Sequence, residues 1–149
     1  MPHRGMLMFL NKNLMVENIK LYQSANIEIM SCVFHISRHQ QVVIAGVYKP
    51  PATGYNALLT EIVNFKETVP LGTGIILLGD FNINLLDTNN KQFVKHMQDV
   101  HSLQQLISKS TTWAGTLIDM IFTDMPIFPT YALTNTWSYH HTICLQMPL

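Results

Sequence analysis

Charge is what this chain has least of. Asp, Glu, Lys and Arg make up 12% of its 149 residues, about half the usual share of roughly 25% in globular proteins. Nine basic residues stand against nine acidic ones, so no global field of either sign marks a basic or an acidic partner. Cysteine is scarce too. Cys32 and Cys144 lie far apart with no close-spaced partner, which excludes a disulfide framework and a Cys-x-x-Cys metal site and fits reduced thiols inside a cell. Long apolar runs are also missing. The run from Met6 to Leu10 is shorter than a signal-peptide core, and no window approaches the ~18 apolar residues that span a bilayer. The expectation is an intracellular protein with no membrane partner. There is no internal repeat and no low-complexity segment.

What is present is apolar. Hydrophobic residues reach 48% and the mean hydropathy is +0.16, which excludes disorder as the main state. The length suits one domain, residues 1–149. With so little Lys and Glu to solvate an outer face, part of the surface is expected to be covered by a partner.

Apolar alternation predicts strands at Gly5–Leu10, Ile27–Ile36 and Gln41–Tyr48. Both faces of the second are apolar, which places it between layers, and residues 38–41 suit a hairpin into the third. Prolines 50 and 51 then end ladder pairing. From Asn56 to Glu67 the period becomes helical, through Leu58, Leu59, Ile62, Val63 and Phe65. Gly74–Leu78 reads as a buried strand that stops at Gly79-Asp80-Phe81-Asn82, and the C-terminal end of such a strand is where ligand sites gather. Residues 87–90 form a capping cluster before a second helix carrying Phe93, Met97 and Val100 or His101. Leu103–Ile107 extends that helix or forms a short strand. Strands follow at Thr116–Thr123, with Asp119 in the interior, at Tyr131–Trp137 and at Thr142–Met147. The mixture predicts a layered α/β sandwich of mixed sheets.

Single motifs have plain structural readings. Asp80-Phe81-Asn82 alone is an Asx-type turn, and Asp119 is a carboxylate in need of a partner, either backbone N–H groups or His140. Tyr48 is either an aromatic strand residue beside prolines or a phosphate contact. Cys32, His35 and His39 have a zinc-like spacing, but on a strand residues 32 and 35 point to opposite faces.

Four segments taken in order say more: Tyr48-Lys49-Pro50-Pro51, Leu78 to Asn82, Leu117 to Thr123 with Asp119, and Ser138-Tyr139-His140-His141-Thr142-Ile143. Together they resemble the endonuclease/exonuclease/phosphatase family, in particular the endonuclease domain that precedes the reverse transcriptase in non-LTR, LINE-type retrotransposons. The resemblance runs from Arg4 to the end. It implies a DNase I-like sandwich, here a single partial domain incomplete at the N-terminus, since nothing corresponds to the family's upstream Asn-bearing and Glu-bearing strands. It further implies metal-dependent hydrolysis of DNA phosphodiesters. Asp80 and Asn82 match the pair that binds the scissile phosphate and its metal, Mg2+ or Mn2+. His140 matches the transition-state-stabilising His, Asp119 the carboxylate that orients it, and Tyr48 a phosphate contact.

The motif departs from the family in three places. Tyr139 stands where the family has Asp, and a phenol is not the hard anionic oxygen that magnesium prefers. The upstream Glu has no counterpart, and Ser110-Thr111-Thr112 replaces a segment that often ends in Arg, weakening phosphate contact. Hydrolysis is therefore expected to be weakened or lost in this copy. The alternative expectation is a non-catalytic remnant or interaction module that self-associates or pairs with a chain completing the fold.

Overall fold

A computed structural model describes residues 6–24, 27–126 and 128–147 of the chain. Its main sheet begins with β1 (Val16–Gln23), β2 (Glu28–Ser37) and β3 (Gln40–Tyr48), an antiparallel meander. The long run of β-branched residues in β3 fits a strand flanked on both sides. Helix α1 (Tyr55–Glu67) then crosses back to β4 (Gly74–Asp80), which lies parallel to β3. Helix α2 (Lys91–His101) follows a 3-10 turn whose Asp87 side chain accepts from the Asn89 N–H at 2.9 Å, and Ser102 ends it in a left-handed conformation. β5 (Gln104–Gln105) and β6 (Asp119–Thr123) complete the order β1-β2-β3-β4-β6-β5, with β6 antiparallel to β4. β7 (Thr130–Leu133) and β8 (Thr142–Leu145) pair separately as a second, two-stranded sheet.

The strand registers sort the side chains into two faces. One face carries Ile29, Val43, Ala45, Val47, Leu77 and Phe122, which join the apolar side of α1 (Leu58, Ile62, Phe65) and of α2 (Phe93, Met97) in one buried cluster. On the other face the ladders align Glu28, Tyr48, Asp80 and Asp119 in a single row across β2, β3, β4 and β6. That row lies at the C-terminal end of β4.

Several expected elements differ. The apolar run predicted as the first strand is not one: its described residues, Met6–Leu10, make no ladder and lie instead over Met30, Phe34, Ile44 and Gly46, lining a cavity of about 490 Å3. Gly5 falls outside the described residues. The first strand is β1, whose mostly exposed side chains and left-handed Asn18 (φ 50°) hide the alternation that marks a strand. Asp119 opens β6 and is not inside a longer strand. Residues 116–118 spend their backbone groups elsewhere: the Leu117 N–H goes to Asn84 Oδ1 at 3.0 Å, and the Ile118 carbonyl accepts from Phe81 N at 2.9 Å. β7 stops at Leu133 because Asn135 folds the next residues into a turn, and the residues after α2 form a strand of two.

Candidate active site

The Gly79-Asp80-Phe81-Asn82 segment is held from three sides. Gly79 has φ +146°, and a Cβ there would fall 2.0 Å from the Val47 carbonyl oxygen, so only glycine lets β4 lie this close to β3. Phe81 is fully buried, its ring 5.4 Å from that of Phe122 and 6.3 Å from that of Phe93. Asn82 takes a left-handed φ of 48°, a conformation that Asn tolerates when its side chain bonds locally. Its N–H donates to Asp80 Oδ1 at 3.0 Å and its Nδ2 to the Lys49 carbonyl at 2.8 Å. With the aromatic anchor below, Asp80 and Asn82 are turned out at the end of the strand.

Asp119 and His140 meet. Nδ1 of His140 lies 2.9 Å from Asp119 Oδ2 and 3.1 Å from Oδ1, while Nε2 lies 4.0 Å from Asp80 Oδ2. Asp119, Asp80 and His140 each offer a ligand atom within 4.8 Å of the others'. Thr111 fixes the backbone beneath them, its Oγ1 accepting from the N–H groups of Ile118 and Asp119 at 3.2 and 3.1 Å. Asn135, 8% exposed, holds the other side: its Nδ2 donates to the His140 carbonyl at 2.8 Å and its Oδ1 accepts from Ser138 N at 2.9 Å. Tyr48 sits opposite Asp80 in the parallel ladder and lines the same cavity. Among the described residues its hydroxyl makes no hydrogen bond. Asp80, Asn82, Asp119 and His140 are thus brought together, with Tyr48 in the adjoining row position.

Among solved structures, the chain is similar to the endonuclease domain of TRAS1, a telomere-specific non-LTR retrotransposon, with a TM-score of 0.63 and 16% identity over 88% of this chain and 65% of that one. It is also similar to endonuclease/exonuclease/phosphatase family proteins from Leptotrichia buccalis (TM-score 0.64, 14% identity, 82% and 54% covered) and Bacteroides thetaiotaomicron (0.51, 15%, 78% and 54%). The fold is that of the endonuclease/exonuclease/phosphatase proteins. The chain spans between about half and two thirds of the length of these relatives. No family model and no curated protein matches the sequence.

On this endonuclease/exonuclease/phosphatase fold the electrostatics centre on Asp80. Burial pushes its carboxyl above the usual range and nearby Asp119 adds to that, while the Asn82 N–H and His140 pull it down. A buried cation stands behind it. Lys49 is 2% exposed, its Nζ donating to the carbonyls of Thr53 at 2.8 Å and Pro50 at 3.1 Å. Desolvation lowers its pKa, and Asp80 opposes the shift. The sequence shows Lys49 and Thr111 inside motif segments without giving either a role, and gives no sign of Asn135, because their types are ordinary in loops. A lysine directly before two prolines at the end of a buried strand was the one available signal.

Proposed function

We propose that this domain is a phosphodiesterase of retrotransposon origin, metal-dependent by descent and slowed in this copy by its reduced set of metal ligands. The observation that carries the reading is the Asp119–His140 contact at 2.9 Å, with Asp80 facing the other ring nitrogen at 4.0 Å. The likeness to a retrotransposon endonuclease domain supports it.

The donor set fits a hard divalent cation. Asp80 Oδ2 and Asn82 Oδ1, the amide oxygen left once Nδ2 is committed to Lys49, would hold Mg2+ or Mn2+. When bound, the ion supplies Lewis-acid neutralisation of charge on the phosphate. The chain's own residues do the rest. Asp119 accepts the Nδ1 proton and so aims Nε2 of His140 at the cleft, where a protonated ring donates to a phosphate oxygen as charge builds. Asp80, turned out at the end of β4, takes the proton of the attacking water. Tyr48 offers a phenolic donor from the adjoining strand, and DNA is the substrate by resemblance. Tyr139, half exposed, stands in place of the second carboxylate that a metal would use.

The test is a plasmid-nicking time course with Mg2+ or Mn2+. The folded chain should nick slowly, Asp80→Ala should abolish nicking, and Tyr139→Asp should raise the rate roughly tenfold or more. Nicking that survives in Asp80→Ala would sink the assignment. A folded chain that stays inert even as Tyr139→Asp would favour a second reading, a non-catalytic module. The exposed Leu7 (77%) and Phe9 (88%) support that second reading, as apolar groups suited to self-association or to another protein surface.

A further inference from the structure

The rim of the Asp119–His140 pair carries large aromatic side chains that contribute nothing to the core. Trp113, Trp137 and Tyr139 are 57%, 83% and 54% exposed, and water disfavours apolar faces of that size. Trp113 and Tyr139 are held in place. The Trp113 indole N–H donates to the Ser138 carbonyl at 2.8 Å and its backbone N–H to the Tyr139 carbonyl at 3.2 Å. Its ring stands edge-on to His141, with centroids 5.4 Å apart, and the Tyr139 ring lies 5.5 Å from His140. The loop from Asn135 to His140 and the segment around Thr112 are further joined by a β-bridge between Thr112 and His140. The three residues therefore sit on two cross-linked backbone segments beside the pair.

We propose that Trp113 and Trp137, beside Tyr139, form a stacking platform for unpaired nucleobases, so that the polymer presented to His140 is single-stranded or locally unpaired nucleic acid. The inference rests on the phosphodiesterase reading and names its substrate class. Charge favours it over duplex capture. A protein that grips a duplex by its backbone needs a row of exposed Lys and Arg, whereas here nine basic residues are balanced by nine acidic ones. Lys49, the cation whose charge acts on Asp80, is bonded inward to two carbonyls. Stacking on aromatic faces adds an attraction that does not come from charge and needs no particular sequence, because every base has a π face. The position also suits it, since the loop that carries Trp137 runs into His140 and Trp113 is bonded to that loop at Ser138 and Tyr139.

The two tryptophans of the chain, Trp113 and Trp137, both belong to the platform, so tryptophan fluorescence, excited selectively over the tyrosines, reports on it alone. The experiment titrates the full chain, in chelator and at physiological ionic strength, with an oligothymidylate of about ten nucleotides and with an abasic phosphodiester of the same length. Saturable quenching by the oligothymidylate, absent with the abasic strand, is the expected result. By anisotropy of a labelled oligothymidylate, Trp137→Leu should weaken binding roughly tenfold. Trp137 is 83% exposed, so that loss is not a folding defect, and circular dichroism would confirm it. Equal response to both strands, or none, overturns the proposal. So does an emission shift that follows protein concentration without oligonucleotide, which would mean that the rings cover another protein surface. Binding without metal is read apart from hydrolysis. A chain that binds oligothymidylate but never nicks sinks the phosphodiesterase reading alone, and one that nicks while binding both strands equally sinks the platform alone.

Discussion

Asp80 carries a cost that the proposed role as a base would explain. Its carboxyl is raised chiefly by burial, so the folded chain binds its proton more tightly than the unfolded chain does. Between the unfolded value near 3.9 and the higher folded one, the folded state holds more protons, and stability falls as pH rises through that window. At neutral pH the ionised form therefore burdens the fold. Asp80→Asn, which keeps an oxygen for the Asn82 N–H, should raise the melting temperature at pH 7 while abolishing hydrolysis. The gain should vanish below the ordinary carboxylate range, as thermal melts across pH would show. A gain that persists in acid would mean that the charge is not its cause. The residues whose chemistry shows in their type, Asp80, Asn82, Asp119 and His140, were legible in the sequence because the motif spacing kept them recognisable. Asn135 and Thr111 were not, because what they do is set by which backbone groups the folded loops bring within 3.2 Å of them.

Phe81 joins the site to the elements beneath it. Its ring packs with Phe93 of α2 and Phe122 of β6, so Phe81→Ala should cost about 3–5 kcal/mol in denaturant melts. It should also lower activity beyond that loss by releasing the turn that presents Asp80 and Asn82. At the end of α2, His101 is 6% exposed, and burial with nearby Lys66 lowers its pKa. The Lys66 ammonium is tied to the His101 carbonyl at 2.7 Å. As pH falls below the usual imidazole value of about 6.5, the unfolded chain takes up the proton first and stability drops. His101→Phe should flatten the loss of melting temperature between pH 7 and 5, and an unchanged slope would place its origin elsewhere. Both helices were legible because their apolar spacing matches the face they bury. β1 was not, because a mostly exposed strand with a left-handed residue has no period to read, and Met6–Leu10 misled because its apolar residues lie over the sheet without joining it.

Taken whole, the sheet is unequal at its two edges. β5 is two residues long, and an edge that short offers little ladder to a neighbour. β1 is eight residues long and ends the other side, with Ile19 and Leu21 65% and 59% exposed. Its irregular pairing between Glu17 and Lys20 twists part of that edge away, but exposed Lys20 is the one charge between Ile19 and Leu21 to repel a second strand. In a chain with only 12% charged residues and no net charge, long-range repulsion does not compensate. Association should therefore begin at β1. Ile19→Lys combined with Leu21→Lys should raise the concentration at which light scattering appears, roughly severalfold, and leave the melting temperature within about 0.5 kcal/mol of equivalent stability, since both side chains already face water. Because β1 is separated from β4 by two strands, nicking and oligothymidylate binding should be unchanged in the same variant. Scattering that is indifferent to these charges but suppressed by Trp137→Leu would move the associating surface from the sheet edge to the rim of the site.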